Sequence, residues 1–264
     1  MSDNSLQRIA MVLEYDGRPY HGWQIQDNAI SVQQVLQEAL LEIEARPIQV
    51  TAAGRTDAGV HASAMLVHAD VDIARWNRAP RAYVHGCNAH LPASVRVTGV
   101  RAVAGDFHAR FDCKGRAYRY KIWQRSTASA IEMWRHWWMP RQLNLDSMRK
   151  AAEYCLGEQD FSALRATGCQ SAHPVRTIHE LSLAKDGYCL CVDVRADAFL
   201  YHMVRNLVGN LVEVGIGKRQ PDEFRQFLNG RDRSLGAATA PAHGLYFSNA
   251  IYDEFTSTDV VDCL

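Results

Sequence analysis

Hydrophobic residues in the first hundred positions follow two different periods. They recur every three or four residues after Val32, which predicts a helix, and they alternate or run continuously in the flanking segments, which predicts strands. Ser31 and Gln34 have the spacing of a capping box at the start of this helix, and Pro47 ends it. The predicted elements are strands at residues 9–15, 48–53, 65–73 and 95–103 and helices from residue 32 and at 80–87. Their order is β-α-β-β-α-β.

A similar order of elements recurs after residue 105, without a repeat of sequence. The pattern predicts strands at 116–123, 177–184, 188–197 and 245–252 and helices at 147–156, 200–214 and 222–228. Residues 124–145 follow neither period and stay unassigned. We therefore expect an α+β protein of two ferredoxin-like (split β-α-β) halves, residues 1–105 and 106–264, with mainly antiparallel sheets joined around a central cleft.

Composition indicates an ordinary globular protein. The 264 residues are 47% hydrophobic and 22% charged, which suits one large domain or two small ones. The first residues lack the basic and apolar regions of a secretory leader, and no apolar run approaches the roughly 20 residues that span a bilayer. We therefore expect a cytoplasmic protein without a membrane partner.

The kind of basic residue in this chain is more informative than its net charge. Net charge is zero, so the field of the whole molecule does not indicate a polyanionic partner. Arginine nevertheless provides 24 of the 29 basic residues, and its guanidinium suits bidentate phosphate contact and base stacking. The distribution of these arginines therefore decides the interpretation.

The cysteines and histidines do not form a recognisable metal site. Seven cysteines without a C-x-x-C pair favour reduced thiols over a disulfide framework. Cys189 and Cys191 alternate on a predicted strand and so share a face, but no second pair is spaced to complete a zinc site. The eleven histidines are scattered. We expect no metal.

Three segments carry candidate chemistry. In Ala-Ala-Gly-Arg-Thr-Asp-Ala-Gly-Val-His-Ala (52–62), two glycines let a tight loop present Asp57 next to Arg55, although spacing alone favours an ordinary turn aspartate. Residues 107–123 interleave cations, including Arg110 and Arg116, with aromatics; this suits RNA contact or an amphipathic strand. In residues 197–215, Arg205 lies among apolar residues and either pairs with a carboxylate or extends to solvent.

Six segments in a fixed order resemble the tRNA pseudouridine synthase A family along nearly the whole chain. They are residues 14–24 (EYDGRPYHGWQ), 52–62, 88–92 (NAHLP), 107–120 (FHARFDCKGRAYRY), 199–206 (FLYHMVRN) and 244–247 (GLYF). The resemblance implies isomerisation of uridine to pseudouridine at positions 38, 39 and 40 of the tRNA anticodon stem-loop. It also implies two ferredoxin-like halves, a homodimer that shares each tRNA, and no cofactor.

The same resemblance implies roles for individual residues. Asp57 is the expected catalytic nucleophile, Tyr118 the aromatic against the target base, and Arg205 the cation that pairs with the aspartate. Arg55 is expected to hold the target nucleotide out of its stack. We assign substrate binding also to three further residues, Arg110, Arg116 and Leu245.

The reaction explains why such residues are needed. The N1–C1′ bond of uridine breaks, the base rotates, and C5 forms the new bond, so no outside atom is required. Attack by the aspartate at the ribose, attack at C6 of the base, and a glycal route all remain open. Two rival functions are a non-catalytic RNA-binding protein of two ferredoxin-like units and a metal-dependent hydrolase.

Overall fold

The structure is a computed structural model that describes residues 5–263. The first of its two compact units contains antiparallel strands and helices. This unit comprises the chain up to Lys114 and again from Phe247 onward. Its elements are β1 Leu6–Tyr15, α1 Val32–Glu44, β2 Val50–Ala52, β3 His61–Asp72, α2 Ile73–Arg78, a π-helical turn Ala82–Gly86, α3 Cys87–His90 and β4 Val95–Ala102. β1 pairs antiparallel with both β3 and β4, and β2 pairs antiparallel with β3.

Burial explains the hydrophobic pattern of this unit. Residues Ile9 to Leu13 of β1 are fully buried, so the strand is apolar on both faces and reads as a continuous run. Ser31 accepts a hydrogen bond from the backbone of Gln34 (3.2 Å), which confirms the predicted start of α1. The helix ends where Ala45 adopts a left-handed conformation (φ 53°).

The predicted helix at 80–87 is wrong in its extent. The chain instead forms α2 before Pro80, a π-helical turn after it, and the short helix α3. Pro80 lacks a backbone N–H and disfavours helical geometry in the residue before it, so it separates these pieces.

The second unit, Gly115–Tyr246, contains a further set of strands and helices. Its elements are β5 Gly115–Trp123, β6 Trp137–Trp138, α4 Leu145–Glu153, β7 Gly157–Asp160, β8 Val175–Asp186, β9 Cys189–Ala196, α5 Met203–Gly215, α6 Pro221–Gly230 and the start of β10 Leu245–Ile251. β9 lies between β5 and β8, and β7 pairs with β8, all antiparallel. The predicted hairpin is confirmed, with Gly187 in the turn at φ 55°. The mixed α+β class and the mainly antiparallel pairing are therefore confirmed.

Residues 124–145, which the pattern left unassigned, contain one two-residue strand, β6, which pairs parallel with β5. The rest of this segment is irregular up to the start of α4, which explains the missing period. Cys189 and Cys191 share a face of β9 as predicted, with 3.8 Å between their Sγ atoms. No helix within residues 5–263 is both long and apolar enough to cross a membrane.

The chain passes from the first compact unit to the second between residues 114 and 115, near the predicted boundary between residues 105 and 106, and it returns to the first unit at residue 247. Residues before Gly115 belong to the first unit, where the N–H of Lys114 donates to the carbonyl of Ile251 (2.8 Å). The chain from Phe247 also returns to the first unit, where the Ser63 hydroxyl donates to the Phe247 carbonyl (3.5 Å). Hydrophobic periodicity identifies a closing strand but carries no information about which compact unit that strand joins.

Candidate active site

The loop that carries Asp57 connects β2 to β3. The N–H of Ala53 donates to the Leu66 carbonyl (2.8 Å) at the start of the loop, and the N–H of Val60 donates to the Asp57 carbonyl (3.1 Å) at its end. Gly59 has φ 76°, which suits glycine because it lacks a Cβ. The predicted glycine-bracketed turn is therefore confirmed: the start of the loop is bonded to β3, and a hydrogen bond within the loop closes its end.

Residues 16–24 lie against this loop and fix its backbone. The N–H of Trp23 donates to the Thr56 carbonyl (3.0 Å), and the N–H of Gly59 donates to the carbonyl of Tyr20 (3.4 Å). A Cβ on Gly22 would lie 2.6 Å from the Thr56 carbonyl oxygen, and one on Gly17 only 2.0 Å from that of Val60. Glycine is thus required at both positions because two backbone segments approach each other closely.

Thr56 anchors the loop from the inside. Its side chain is buried, and its hydroxyl lies 2.8 Å from the hydroxyl of Tyr15, the last residue of β1. The flanking side chains are less covered: Arg55 is exposed and Asp57 is half-buried. The buried hydroxyl pair of Thr56 and Tyr15 therefore fixes the centre of the loop, while the Asp57 carboxylate and the Arg55 guanidinium lie at the surface of the unit.

Two histidines of β3, one at its start and one within it, bond to neighbouring loops. His61 Nδ1 accepts from the N–H of Gly17 (3.1 Å), and His68 Nδ1 accepts from the N–H of Ala109 (3.0 Å). Burial, assisted by the charge of Arg8, lowers the pKa of His68 to about 4. His68 is consequently neutral at pH 7, with a lone pair on Nδ1 to accept this bond.

The arginine-rich segment does not form one extended strand. Arg110 lies in a turn of the first unit, whereas Arg116 lies on β5 in the second. On β5, Arg116 and Tyr118 point to the face opposite Arg119, because side chains alternate along a strand. The interpretation of residues 107–123 as one amphipathic strand is therefore wrong for residues 107–114, because β5 begins only at Gly115.

Tyr118 has a defined orientation within the second unit. Its Cα lies opposite that of Val194 on β9, and its ring meets the edge of Phe199 with centroids 5.1 Å apart at 88°. Arg116 on the same face donates to the Asp197 carbonyl (3.0 Å). Both contacts involve the segment between β9 and α5, so this segment positions two of the predicted site residues.

Arg205 lies in the first turn of α5 and is half-buried. Its Nε donates to the carbonyl of Ala240 (2.8 Å), and the N–H of Ala240 donates back to the Arg205 carbonyl (3.2 Å). His243 lies two residues before the buried Leu245. Burial, and to a smaller extent the positive charge of Arg205, lowers the pKa of His243. The guanidinium is thus held by the chain that leads into β10.

A family model described as tRNA pseudouridine synthase matches residues 11–112 and 151–253 of this chain. The chain belongs to the tRNA pseudouridine synthase family. It is 47% identical to the tRNA pseudouridine synthase A of Rhodospirillum centenum, over 94% of this chain and 100% of that protein. It is 44% identical to the enzyme of the same name from Hydrogenovibrio crunogenus, over 93% of each chain. The resemblance drawn from the six motifs is confirmed.

The chain is therefore an isomerase of the pseudouridine synthase type. A solved structure of an H/ACA RNP bound to a substrate RNA containing 2'-deoxyuridine aligns with this chain with a TM-score of 0.37 at 11% identity. That alignment covers 78% of this chain and 44% of the other.

The position of Arg205 in this pseudouridine synthase depends on two residues that sequence reasoning missed. Asn206 and Asn210 are completely buried in α5. Asn206 Oδ1 accepts from the Thr239 hydroxyl (2.7 Å), and Asn210 Oδ1 accepts from the N–H of Ala237 (3.1 Å). They bind residues 237–240 to the helix. Two asparagines in a strongly apolar helical run were the signal for such a role, because buried amides require partners.

The predicted site residues divide between the two units. The first contains Arg55, Asp57 and Arg110, and the second contains Arg116, Tyr118, Arg205 and Leu245. In the described part of this synthase, no group of three or more His, Cys, Asp or Glu side chains is arranged to hold a metal ion.

Proposed function

We propose that this chain converts uridine to pseudouridine at positions 38, 39 and 40 of the tRNA anticodon stem-loop, with Asp57 as the nucleophile. The observation that carries the proposal is the construction of the Asp57 loop. Its backbone is fixed by close approach of Gly22 and by the buried contact of Thr56 with Tyr15, while the Asp57 side chain is only half-buried. A catalytic carboxylate needs this combination of a fixed backbone and access to substrate.

The chemistry requires a carboxylate and little else from outside the substrate. The N1–C1′ bond breaks, the uracil rotates, C5 bonds to C1′, and the C5 proton leaves while N1 gains one. Asp57 serves by adding to the ribose, by adding to C6 of the base, or by stabilising and deprotonating the ribose side in the glycal route. Because all atoms of the product come from the substrate, the proposal needs no cofactor.

Individual roles follow from the environment of each side chain. Tyr118 stacks on the target uracil, and the edge contact with Phe199 keeps its ring in one orientation. Arg205, bound through its Nε to the Ala240 carbonyl, supplies positive charge for the catalytic carboxylate.

The remaining predicted residues bind the RNA. Extrusion of the target nucleotide from its stack costs a few kcal/mol in lost base pairing and stacking. Arg55 holds the extruded nucleotide in place. Arg110 and Arg116 contact phosphates, because guanidinium groups bind phosphate oxygens bidentately. Leu245 forms part of the pocket wall for the base.

The proposal includes the two-half architecture that the sequence predicts. In the first unit the strand order β4-β1-β3, with β2 beside β3 and α1 between β1 and β2, supports a ferredoxin-like half. In the second unit the order β5-β9-β8, with α4 before β8 and α5 after β9, supports another. A homodimer and a cytoplasmic location complete the proposal.

The test is product mapping on a defined RNA. Purified protein is incubated with an unmodified tRNA transcript, and pseudouridine is located by base-specific chemistry. The expected product lies at positions 38 to 40, and transcripts with cytidine at these positions are the control. Pseudouridine elsewhere in the transcript, or none at all, would reject the proposed site of action.

A further inference from the structure

Phe111 is an unusually exposed aromatic residue in the first unit. Its side chain is 76% exposed, and it lies in the turn between β4 and β5 next to the exposed residues Arg110 and Asp112. A ring in this position contributes little to the hydrophobic core. Its place in the structure therefore calls for an explanation other than stability.

The turn that presents Phe111 is held by hydrogen bonds on several sides. His108 Nδ1 accepts from the N–H groups of Arg110 and Phe111 (3.2 Å each), and the N–H of His108 donates to Asp112 Oδ2 (2.7 Å). The N–H of Ala109 donates to the buried His68 (3.0 Å). The exposed ring is thus carried by an ordered backbone, which lowers the entropy cost of binding a partner.

The ring itself is also supported on one side. It stacks on the imidazole of His108, with centroids 4.2 Å apart and planes at 26°. The Arg110 guanidinium lies 5.9 Å from the centroid of the ring. Since one face is covered by His108 and most of the surface is exposed, the opposite face meets solvent.

The surroundings of Phe111 favour a nucleobase as its partner. The core of a protein–protein interface is depleted in charged residues, whereas Arg110, Asp112 and Lys114 are all exposed within three positions of Phe111. Surfaces that bind single-stranded nucleic acid instead combine aromatic faces with cations that contact phosphate.

We propose that Phe111 is a stacking platform for an unpaired base of the RNA substrate other than the target uridine, with Arg110 at the adjoining phosphate. The proposal rests on the proposed function because it takes tRNA as the ligand. It adds a specific contact in the first unit, at a turn separate from the Asp57 loop.

The test measures equilibrium binding of an unmodified tRNA transcript by the full-length protein over a range of salt concentrations. Phe111→Ala and Phe111→Leu are each expected to weaken binding about 5- to 150-fold, and Phe111→Trp to restore it. The slope of log affinity against log salt stays unchanged in these variants, whereas Arg110→Ala lowers it by about 1. Leu235→Ala, at another exposed apolar side chain, is the matched control and binds as the wild type does.

Three results would overturn this inference. Wild-type affinity in Phe111→Ala would mean that the ring contacts no base, and wild-type affinity in Phe111→Leu would mean an apolar contact without stacking. A change of oligomeric state in Phe111→Ala, measured by light scattering, would mean that the ring contacts a second protein chain. Failure of the wild type to bind tRNA would instead reject the proposed function itself, so the two failures are distinguishable.

Discussion

Substitution of Gly22 by alanine tests how the Asp57 loop is positioned. Gly22 has φ 94°, and a Cβ there would lie 2.6 Å from the Thr56 carbonyl oxygen and 3.2 Å from the Asp57 carbonyl carbon. The backbone strain alone costs about 1–2 kcal/mol in an L-residue. Relief of the clash requires a shift of about 0.4 Å or more in the backbone that precedes the catalytic side chain.

This displacement sets the expected loss of rate. A misplacement of about 1 Å in a catalytic constellation costs roughly 100-fold, so a shift of about 0.4 Å or more corresponds to a loss of about sixfold or more. The assay is the single-turnover rate of pseudouridine formation with enzyme in excess over an unmodified tRNA transcript. Urea unfolding of the same variant reports the accompanying loss of stability, expected at about 1–3 kcal/mol.

Gly187→Ala is the matched control for Gly22→Ala. Gly187 also has a positive φ of 55°, but a Cβ there would meet no atom within 4 Å. Its alanine variant should lose stability through backbone strain and retain the single-turnover rate. A wild-type rate in Gly22→Ala, or an equal loss of rate in both variants, would refute the claim that this glycine positions the Asp57 loop.

Three further substitutions test the support of the first unit. Tyr15→Phe removes the hydroxyl partner of buried Thr56 and should lower the free energy of unfolding by about 1–3 kcal/mol; an unchanged urea midpoint would disprove that bond's contribution. Tyr83→Phe removes a donor to the buried Glu44 carboxylate and should cost about 1.5–3 kcal/mol without changing the reaction rate, whereas a selective loss of rate would contradict a purely structural role. The pKa of His68 is 6.5 in the unfolded chain and about 4 in the folded protein. The unfolded chain therefore binds a proton at this residue more readily, and the free energy of unfolding should decrease as pH falls from about 6.5 towards 4. His68→Asn should remove this part of the acid destabilisation, and an unaltered difference in unfolding free energy between pH 7 and pH 4.5 would refute it.

Long periodic elements were predictable from sequence, because burial imposes its own pattern on them. β1, α1, β5 and α5 each bury a stripe or both faces, and their predicted ranges differ from the observed ones by a few residues. Short elements were not predictable from sequence. The strand β7, for example, consists of Gly-Glu-Gln-Asp and has no apolar side chain that would indicate a strand. Its pairing with β8 depends on a neighbour that periodicity cannot identify.

The candidate site shows the same division. Asp57 was identified through its motif, but its support by Gly22 and Tyr15 depends on contacts between segments more than thirty residues apart. Likewise, Arg205 stood out as a cation among apolar residues, whereas its anchor at Ala240 is a backbone carbonyl, which no side-chain pattern encodes. Residue types in the sequence thus identify the candidate catalytic side chains, whereas the contacts that position these side chains are seen only in the folded structure.

The most direct test of the account is the reaction of Asp57→Asn with an unmodified tRNA transcript, measured together with its affinity for that transcript. The amide keeps the shape of the side chain and removes its charge, so the affinity should stay within a few fold of wild type while pseudouridine formation is abolished in a single-turnover assay. Asp27→Asn, at an exposed aspartate in a neighbouring loop, should retain full activity. Substantial pseudouridine formation by Asp57→Asn would contradict the assignment of Asp57 as the nucleophile.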